Sequence, residues 1–379
     1  MKILYIGHEK ELNGASKSVL DIIKGMENEH EIYVLTGYGD GPFYDALKQR
    51  KAKVLVYPYF KWCVGKFSKL GWIKKRLKWY CHQQFVNRKT AAAVAKIVRD
   101  EHIDLIHTNS GVINVGGLIR RACPDVKHIW HIREFADLDF RMYPLPPESA
   151  YYAFMNRWTD QFIFNSKAVA QHYTKLDPKK KNVVYNGVDP KNLIPESERE
   201  PHEGINLLIA GRVERAKGQY QAVEACEKLL QRGIGNFKLF IAGTVYCELD
   251  ISEAVRDHVI LLGQVSDMTV IRRKTDIELV CSRAEAFGRV TIEANLAGVP
   301  VVGSNIGGTR ELIRDGVTGF LYEPENTDDL ADKIEKLIRD ETLRHTCGTA
   351  AREFAAAGFL ADTSVKNLRR VYQKTFGEL

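Results

Sequence analysis

Short apolar runs alternate with amphipathic stretches along almost the whole chain. Residues 3–6, 32–35, 54–56, 105–107, 128–132 and 162–164 read as strands, and segments such as 16–26 and 89–99 between them carry the helical period. Strands apolar on both faces, separated by helices, are the βαβ rhythm of a parallel sheet covered on each side. The rhythm breaks after Tyr185-Asn186-Gly187-Val188-Asp189-Pro190, where residues 190–204 are polar, charged and interrupted by Pro195 and Pro201, a composition that suits an interdomain linker. It then restarts, with strands expected at 206–210, 238–242, 259–262, 277–281 and 299–303 and closing helices at 327–339 and 341–357. A last helix is expected at 363–376, where Val365, Leu368, Val371, Tyr372 and Phe376 share one face. The pattern predicts an α/β protein of two Rossmann-like domains facing each other across a cleft. The first would span 1–195, completed by the C-terminal helix 362–379, and the second 196–361.

The stretch 282–309, SRAEAFGRVTIEANLAGVPVVGSNIGGT, holds two glutamates, Glu285 and Glu293, separated by seven residues. The apolar run IELVC at 277–281 precedes it, so Glu285 is expected just beyond a strand's carboxyl end, where ligands of open α/β sheets sit. A helical pattern begins near Arg289, placing Glu293 one to two turns into a helix. The loop amides and the helix N-terminus form a seat for an anion. Two carboxylates beside such a seat suit a ligand with hydroxyls at one end and phosphates in the middle, as in a nucleotide sugar.

Three further places carry candidate chemistry. The second domain opens with Leu207-Leu208-Ile209-Ala210-Gly211-Arg212, and Lys217-Gly218 follow. A planar guanidinium and a point charge there could clamp a diphosphate, or be two solvated surface cations. The first loop, Gly7-His8-Glu9 to Asn13-Gly14-Ala15-Ser16, lacks the GxGxxG spacing of a dinucleotide fingerprint, which argues against a dehydrogenase. Taken alone it reads better as a structural turn, although Gly14 and Ala15 before Ser16 would let a ligand approach the helix N-terminus closely. His131, near the end of the strand 128–132, could bond a sugar hydroxyl or phosphate, or be a satisfied structural histidine.

Bulk composition narrows the class. No apolar run approaches the ~20 residues needed to span a bilayer, and MKILYIGHE reads as a first strand rather than a secretory leader. Seven dispersed cysteines with no CxxC pair argue against a disulfide framework or a zinc site and for reduced thiols in a cytoplasmic protein. The net charge of +7 is uneven: residues 46–99 hold 15 Lys and Arg and no Asp or Glu. Removing those 15 from the total of 55 leaves 40 cations against 48 acids, a net of −8 elsewhere. Within 61–89 the cations interleave with Trp62, Phe67, Trp72, Trp79, Tyr80 and Phe85, a mixture that favours the interface of an anionic membrane. A solvated helix or another polyanion are the alternatives. No nucleic-acid-binding module is recognisable.

Taken in order, these motifs resemble the retaining glycosyltransferases of the GT-B fold, in family four (glycosyl transferases group 1), of the kind that builds bacterial polysaccharides and glycolipids. The resemblance rests on Asn13-Gly14-Ala15, Asn186-Gly187-Val188-Asp189, Gly211-Arg212 with Lys217-Gly218, and Ile241-Ala242-Gly243. It also rests on Leu262-Gly263-Gln264-Val265, Glu285 with Glu293, and Gly307-Gly308-Thr309-Arg310-Glu311. It implies that Arg212 and Lys217 bind the donor diphosphate and steady the leaving group. Glu285 would hold sugar hydroxyls and Glu293 the ribose. The amides of Phe287 and Gly288 would meet phosphate or sugar, Gln264-Val265 would hold the base, and Gly211 and Gly243 would line the donor site. Gly14 and Ala15 would approach the diphosphate from the other domain, and His131 would lie near the donor sugar.

Two departures bear on donor choice. The family commonly reads E-G-F-G-L where this chain has Glu285-Ala286-Phe287-Gly288-Arg289. Arg289 sets a positive charge at a helix start, against the dipole unless it faces phosphate or acceptor. The implied activity is transfer of a hexose from a nucleoside diphosphate, UDP by preference, to a lipid-linked or growing glycan with retention of configuration. No cofactor and no metal are implied; Asp137-Leu138-Asp139 has the spacing of a metal-binding pair but follows the His131 loop. The expected place is cytoplasmic and peripheral on the inner face of the membrane. An epimerase sharing the fold, or a non-catalytic nucleotide-sugar-binding scaffold, would show some of the same motifs.

Overall fold

The computed structural model describes residues 1–65 and 72–377, apart from the side chains of 72–76. Part of the aromatic and basic run at 61–89, Phe67 and the side chain of Trp72 included, lies outside the described residues. The chain divides into two compact units, Met1–Gly187 with Ala361–Leu379, and Val188–Leu360.

The first unit is built on β1 (Lys2–Gly7), β2 (Glu31–Thr36), β3 (Ala52–Val56), β4 (Cys63–Gly65), β5 (Leu105–Asn109), β6 (Lys127–Ile132), β7 (Met142–Pro144), β8 (Gln161–Phe164) and β9 (Lys181–Val183). Seven of these form one parallel sheet in the order β3-β2-β1-β5-β6-β8-β9, while β4 and β7 pair antiparallel apart from it. The central strands are buried along their length, which their apolar runs require. Helix Gly14–Met26 starts on the Asn13 side chain, which accepts from the Ala15 and Ser16 amides at 3.0 and 3.1 Å. Its apolar face meets the last helix, Ala361–Phe376, whose Val365, Leu368, Val371 and Tyr372 join Ile3, Tyr5, Val19 and Ile23 in one core.

The second unit carries β10 (Ile205–Ala210), β11 (Phe237–Ala242), β12 (Val259–Gly263), β13 (Ile277–Val280), β14 (Val301–Ser304) and β15 (Gly319–Tyr322). They form a parallel sheet in the order β12-β11-β10-β13-β14-β15. In both sheets the direction of winding reverses beside the first strand, between β1 and β5 and between β10 and β13. The carboxyl edge at such a reversal is the crevice where doubly wound sheets bind ligands.

The structure differs from the sequence pattern in three places. Strands β4, β7, β9 and β15 are not expected from the pattern: the first three are only three residues long, and β15 is a four-residue strand that begins on a glycine. The helix expected at 89–99 is the end of a 29-residue helix, Trp72–Asp100, whose first half hides its period among cations. Residues 190–204 are no loose linker: Ile194 is buried against Val280, Ala294 and Val301, and Arg199 bonds the Arg272 carbonyl at 2.9 Å. Their polar composition reflects 3-10 turns laid over the surface of the second unit.

Candidate active site

The carboxyl edge of the second sheet gathers most of the candidates in strand order. Gln264 follows β12, Gly243 follows β11, Gly211 and Arg212 follow β10, and Ser282–Glu285 follow β13. Backbone bonds tie neighbouring loops: Gly243 N–H donates to Gly263 at 2.7 Å and Gly211 N–H to Ala242 at 2.8 Å. Gln264 is exposed and Val265 half-buried, and the Thr244 hydroxyl lies 3.4 Å from the Gln264 side-chain oxygen. Arg212 is half-exposed, 3.2 Å from Glu214, with Tyr246 beside its guanidinium and its carbonyl bonded by the buried Gln219 amide at 3.0 Å.

Lys217 and Glu285 meet directly, Nζ to Oε2 at 2.8 Å, with the Ser282 hydroxyl 3.2 Å from the same oxygen. The adjacent carboxylate raises the Lys217 pKa, so the ammonium is held charged. The meeting depends on glycine. Gly218, at φ +74°, packs against the Cys281 carbonyl so closely that a Cβ would overlap it. The Lys217 turn is thereby pressed onto the loop that carries Glu285. On the other side Gly308 N–H bonds the Glu285 carbonyl at 2.6 Å, and a Cβ on Gly307 would come within 2.5 Å of that oxygen. The Gly-Gly turn therefore braces the glutamate loop from behind. Phe287 is buried, and Gly288, at φ +97°, opens helix Arg289–Leu296 with no side-chain cap on its first amides.

Glu293 lies on that helix in a charged cluster that sequence reasoning missed. Arg272, 1% exposed, forks onto the wholly buried Glu278, Nε to Oε2 at 2.9 Å and NH2 to Oε1 at 3.0 Å. Its remaining nitrogen, NH1, reaches Glu293 Oε2 at 3.1 Å. Burial alone would lower the Arg272 pKa; the two carboxylates more than offset that and leave it raised. Arg289 Nε lies 3.8 Å from Glu293 Oε1, so its charge at the helix start faces a carboxylate of its own helix. A signal was present in the sequence: Glu278 interrupts the apolar strand IELVC, and a buried acid needs a buried cation.

In the first unit Gly14 is exposed and Ala15 half-buried at the capped start of their helix, beyond β1. His131, at the end of β6, is 1% exposed and its pKa is pushed well below the usual histidine value by burial and by Arg133. Its Nδ1 lies 3.2 Å from His107 Nε2 and 3.3 Å from Arg133 NH2. His107 Nδ1 in turn lies 2.7 Å from the Tyr372 hydroxyl, which is 3.1 Å from that of Tyr5.

A guanidinium only donates, so His131 Nδ1 is an acceptor and the neutral ring carries its proton on Nε2. His107 then donates from Nε2 and accepts at Nδ1 from Tyr372, and Tyr372 accepts from Tyr5. The order leaves His131 Nε2–H as a buried donor with no partner among the described residues, beside a small cavity lined by Ser18, Asp21, Arg133, Asn186 and Ser364. His107 and Tyr372 escaped sequence reasoning, Tyr372 because it reads as one more apolar position of the last helix.

Comparison with known proteins places these features in context. The family model "Glycosyl transferases group 1" matches residues 190–354, and "Glycosyltransferase Family 4" matches 12–192. An uncharacterized glycosyltransferase of Methanocaldococcus jannaschii is 29% identical over 299 residues, 73% of this chain and 77% of that protein. The capsular polysaccharide biosynthesis glycosyltransferase CapM of Staphylococcus aureus is 30% identical over 185 residues, 46% of this chain and about half of its own length, at 48%. Among solved structures, Anabaena HepE in complex with UDP-glucose is alike in fold, with a TM-score of 0.77 at 22% identity over 100% of both chains.

Proposed function

Because the chain belongs to the group 1 glycosyltransferases of family 4, with the GT-B fold, we propose that it moves a hexose from a UDP-sugar to a lipid-linked or growing glycan, with retention of configuration. The observation that carries this reading is the Lys217–Glu285 pair at 2.8 Å, set beside Arg212 at the winding reversal between β10 and β13. A cation for the leaving diphosphate and a carboxylate for sugar hydroxyls are thus held side by side. The complexes of HepE with UDP and with UDP-glucose, and the capsular role in CapM's name, support the choice of base and acceptor class.

In this reading Arg212 and Lys217 neutralise the departing diphosphate, the amides at Phe287 and Gly288 meet phosphate or sugar, and Gln264-Val265 hold the base. Glu285 holds sugar hydroxyls and Glu293 the ribose. The acceptor hydroxyl attacks the anomeric carbon from the face that the diphosphate leaves, through an oxocarbenium-like transition state. Catalysis is positioning together with stabilisation of the leaving group, and no side chain is assigned as a nucleophile. The cations come from the chain itself, so the reading includes no metal. A thermal-shift series with UDP, GDP, ADP and their sugar derivatives tests it. A UDP compound at 100 times its Kd raises stability by about 2.7 kcal/mol, and the absence of a shift with all of them refutes the reading.

Peripheral contact with an anionic membrane through 46–99 belongs to the same proposal. No helix among the described residues is long and apolar enough to cross a membrane. Helix Trp72–Asp100 instead exposes Leu77 at 61% and Phe85 at 68%, two turns apart, with Lys78, Arg88 and Lys89 also exposed. At ~1 kcal/mol per cation near an anionic surface, a few suffice for reversible binding. Co-sedimentation with phosphatidylglycerol vesicles, lost as salt rises, is expected. Binding indifferent to salt, or none, refutes the contact.

A further inference from the structure

We propose that Arg272 is a positioning residue for nucleotide recognition: it holds the Glu293 carboxylate in place for the ribose, and Glu278 exists to hold Arg272. The proposal rests on the reading of Glu293 as the ribose ligand.

The geometry separates two jobs of one guanidinium. Its Nε and NH2 edge is saturated by the two oxygens of Glu278, at 2.9 and 3.0 Å, inside the unit. This bidentate pair leaves the guanidinium little freedom to turn. The remaining nitrogen, NH1, meets Glu293 Oε2 at 3.1 Å. Glu293 differs from its partners in being 23% exposed, whereas Arg272 and Glu278 are at 1% and 0%. A charge chain therefore runs from a sealed anchor on β13, through a sealed arginine, to a carboxylate that reaches solvent one turn into helix Arg289–Leu296.

Stability is a poor reason for such a chain, because well-packed apolar side chains at the two buried positions would serve as well or better. Orientation is a better one. A long glutamate side chain fixed before binding loses no further rotamer freedom when a ligand arrives. Arg272 occupies Oε2 from the inside, and Arg289 Nε, 3.8 Å from Oε1, is a charge neighbour beyond hydrogen-bond distance, so Oε1 keeps lone pairs for hydroxyl donors. Two vicinal hydroxyls, as on a ribose, are the ligand chemistry that a fixed carboxylate rewards over a mobile one.

The test uses the full chain and reads affinity by calorimetry for UDP, GDP and ADP, each against its 2′,3′-dideoxy form, with inorganic diphosphate as a control. Loss of hydrogen bonds to a charged group is expected to make the dideoxy form of the preferred nucleotide bind on the order of 10–100-fold more weakly to the wild type. Glu293→Gln should collapse that ratio. Arg272→Met with Glu278→Leu, which removes the buried charges together, should shrink the ratio several-fold while diphosphate affinity stays unchanged. Arg272→Lys, which keeps the charge but not the fork, should do the same if the double variant does not fold.

If Glu293→Gln collapses the ratio and the folded Arg272 variants keep it, the positioning role is overturned while the ribose reading stands. If Glu293→Gln keeps the ratio, or no nucleotide binds, the ribose reading fails and takes the proposal with it. A role for Arg272 in folding alone would not change a ratio between two nucleotides differing only in hydroxyls.

Discussion

Replacing Tyr372 by Phe removes one oxygen from the middle of the buried relay and tests its proton order. That oxygen lies 2.7 Å from His107 Nδ1 and 3.1 Å from the Tyr5 hydroxyl. In the order deduced from Arg133, Tyr372 donates to His107 and accepts from Tyr5. The substitution then strands two buried groups, the bare Nδ1 of His107 and the hydroxyl proton of Tyr5. At about 1–3 kcal/mol for each stranded group the cost is roughly 2–6 kcal/mol. Tyr5→Phe leaves the Tyr372 donation intact and should cost only about 0.5–1.5 kcal/mol. Added to Tyr372→Phe, it removes a stranded donor and should be neutral or restoring. All five tryptophans, at 62, 72, 79, 130 and 158, lie in the first unit, so tryptophan fluorescence during urea unfolding reports on that unit alone. Nitrogen-15 spectra of histidine-labelled protein should show protons on Nε2 of both His107 and His131. A Tyr5→Phe cost equal to that of Tyr372→Phe, or a proton on Nδ1 of His131, would refute the order.

Other outcomes follow from the same structure. Lys217→Ala should lower kcat by about 10²–10³, or ~2.7–4 kcal/mol, the cost of removing an oxyanion donor; near-normal turnover in a folded variant would sink its role. Gly218→Ala puts a side chain at φ +74° against the Cys281 carbonyl and should cost at least about 1–2 kcal/mol. That loss should appear in a far-UV circular dichroism melt and leave the tryptophan-reported transition of the first unit in place. Burial pushes His128 down to about 4 and, with Arg133 adding to burial, holds His107 and His131 well below the usual value. Their native rings stay neutral while the unfolded chain protonates, so stability is intact above about pH 6.5 and falls below it. The slope is about 1.4 kcal/mol per pH unit for each histidine, continuing to about pH 4 for His128. A first unit equally stable at pH 7.5 and pH 5 would contradict this.

What could be read from the chain, and what could not, follows from the range over which each feature is encoded. The two parallel sheets were legible because a strand buried on both faces must be apolar along its whole length, as in Ile3–Ile6 of β1 or Leu207–Ile209 of β10. Lys217, Glu285 and the Gly307-Gly308 turn were legible because each sits where a strand gives way to a loop or helix. Their geometry is also imposed by glycines that are visible as letters. His107 was hidden because its meaning depends on a histidine that the sheet brings from a neighbouring strand, and Arg272 because its partners Glu278 and Glu293 lie on the strand and helix that follow it.

Arg272 stands in the run Ile271-Arg272-Arg273-Lys274, which any local reading gives to solvent, yet the first of those three cations is wholly buried. The letter that betrays it is six residues on, where Glu278 breaks an apolar strand and cannot be buried alone. The histidines obey the same logic. Tyr5, His107 and His131 lie on one face of β1, β5 and β6, and the relay exists only because the sheet order sets those three strands side by side. A polar residue inside an apolar run is thus the local trace of a nonlocal network. Each such residue requires a partner of opposite charge or complementary hydrogen-bonding role, and for Glu278 that partner is Arg272.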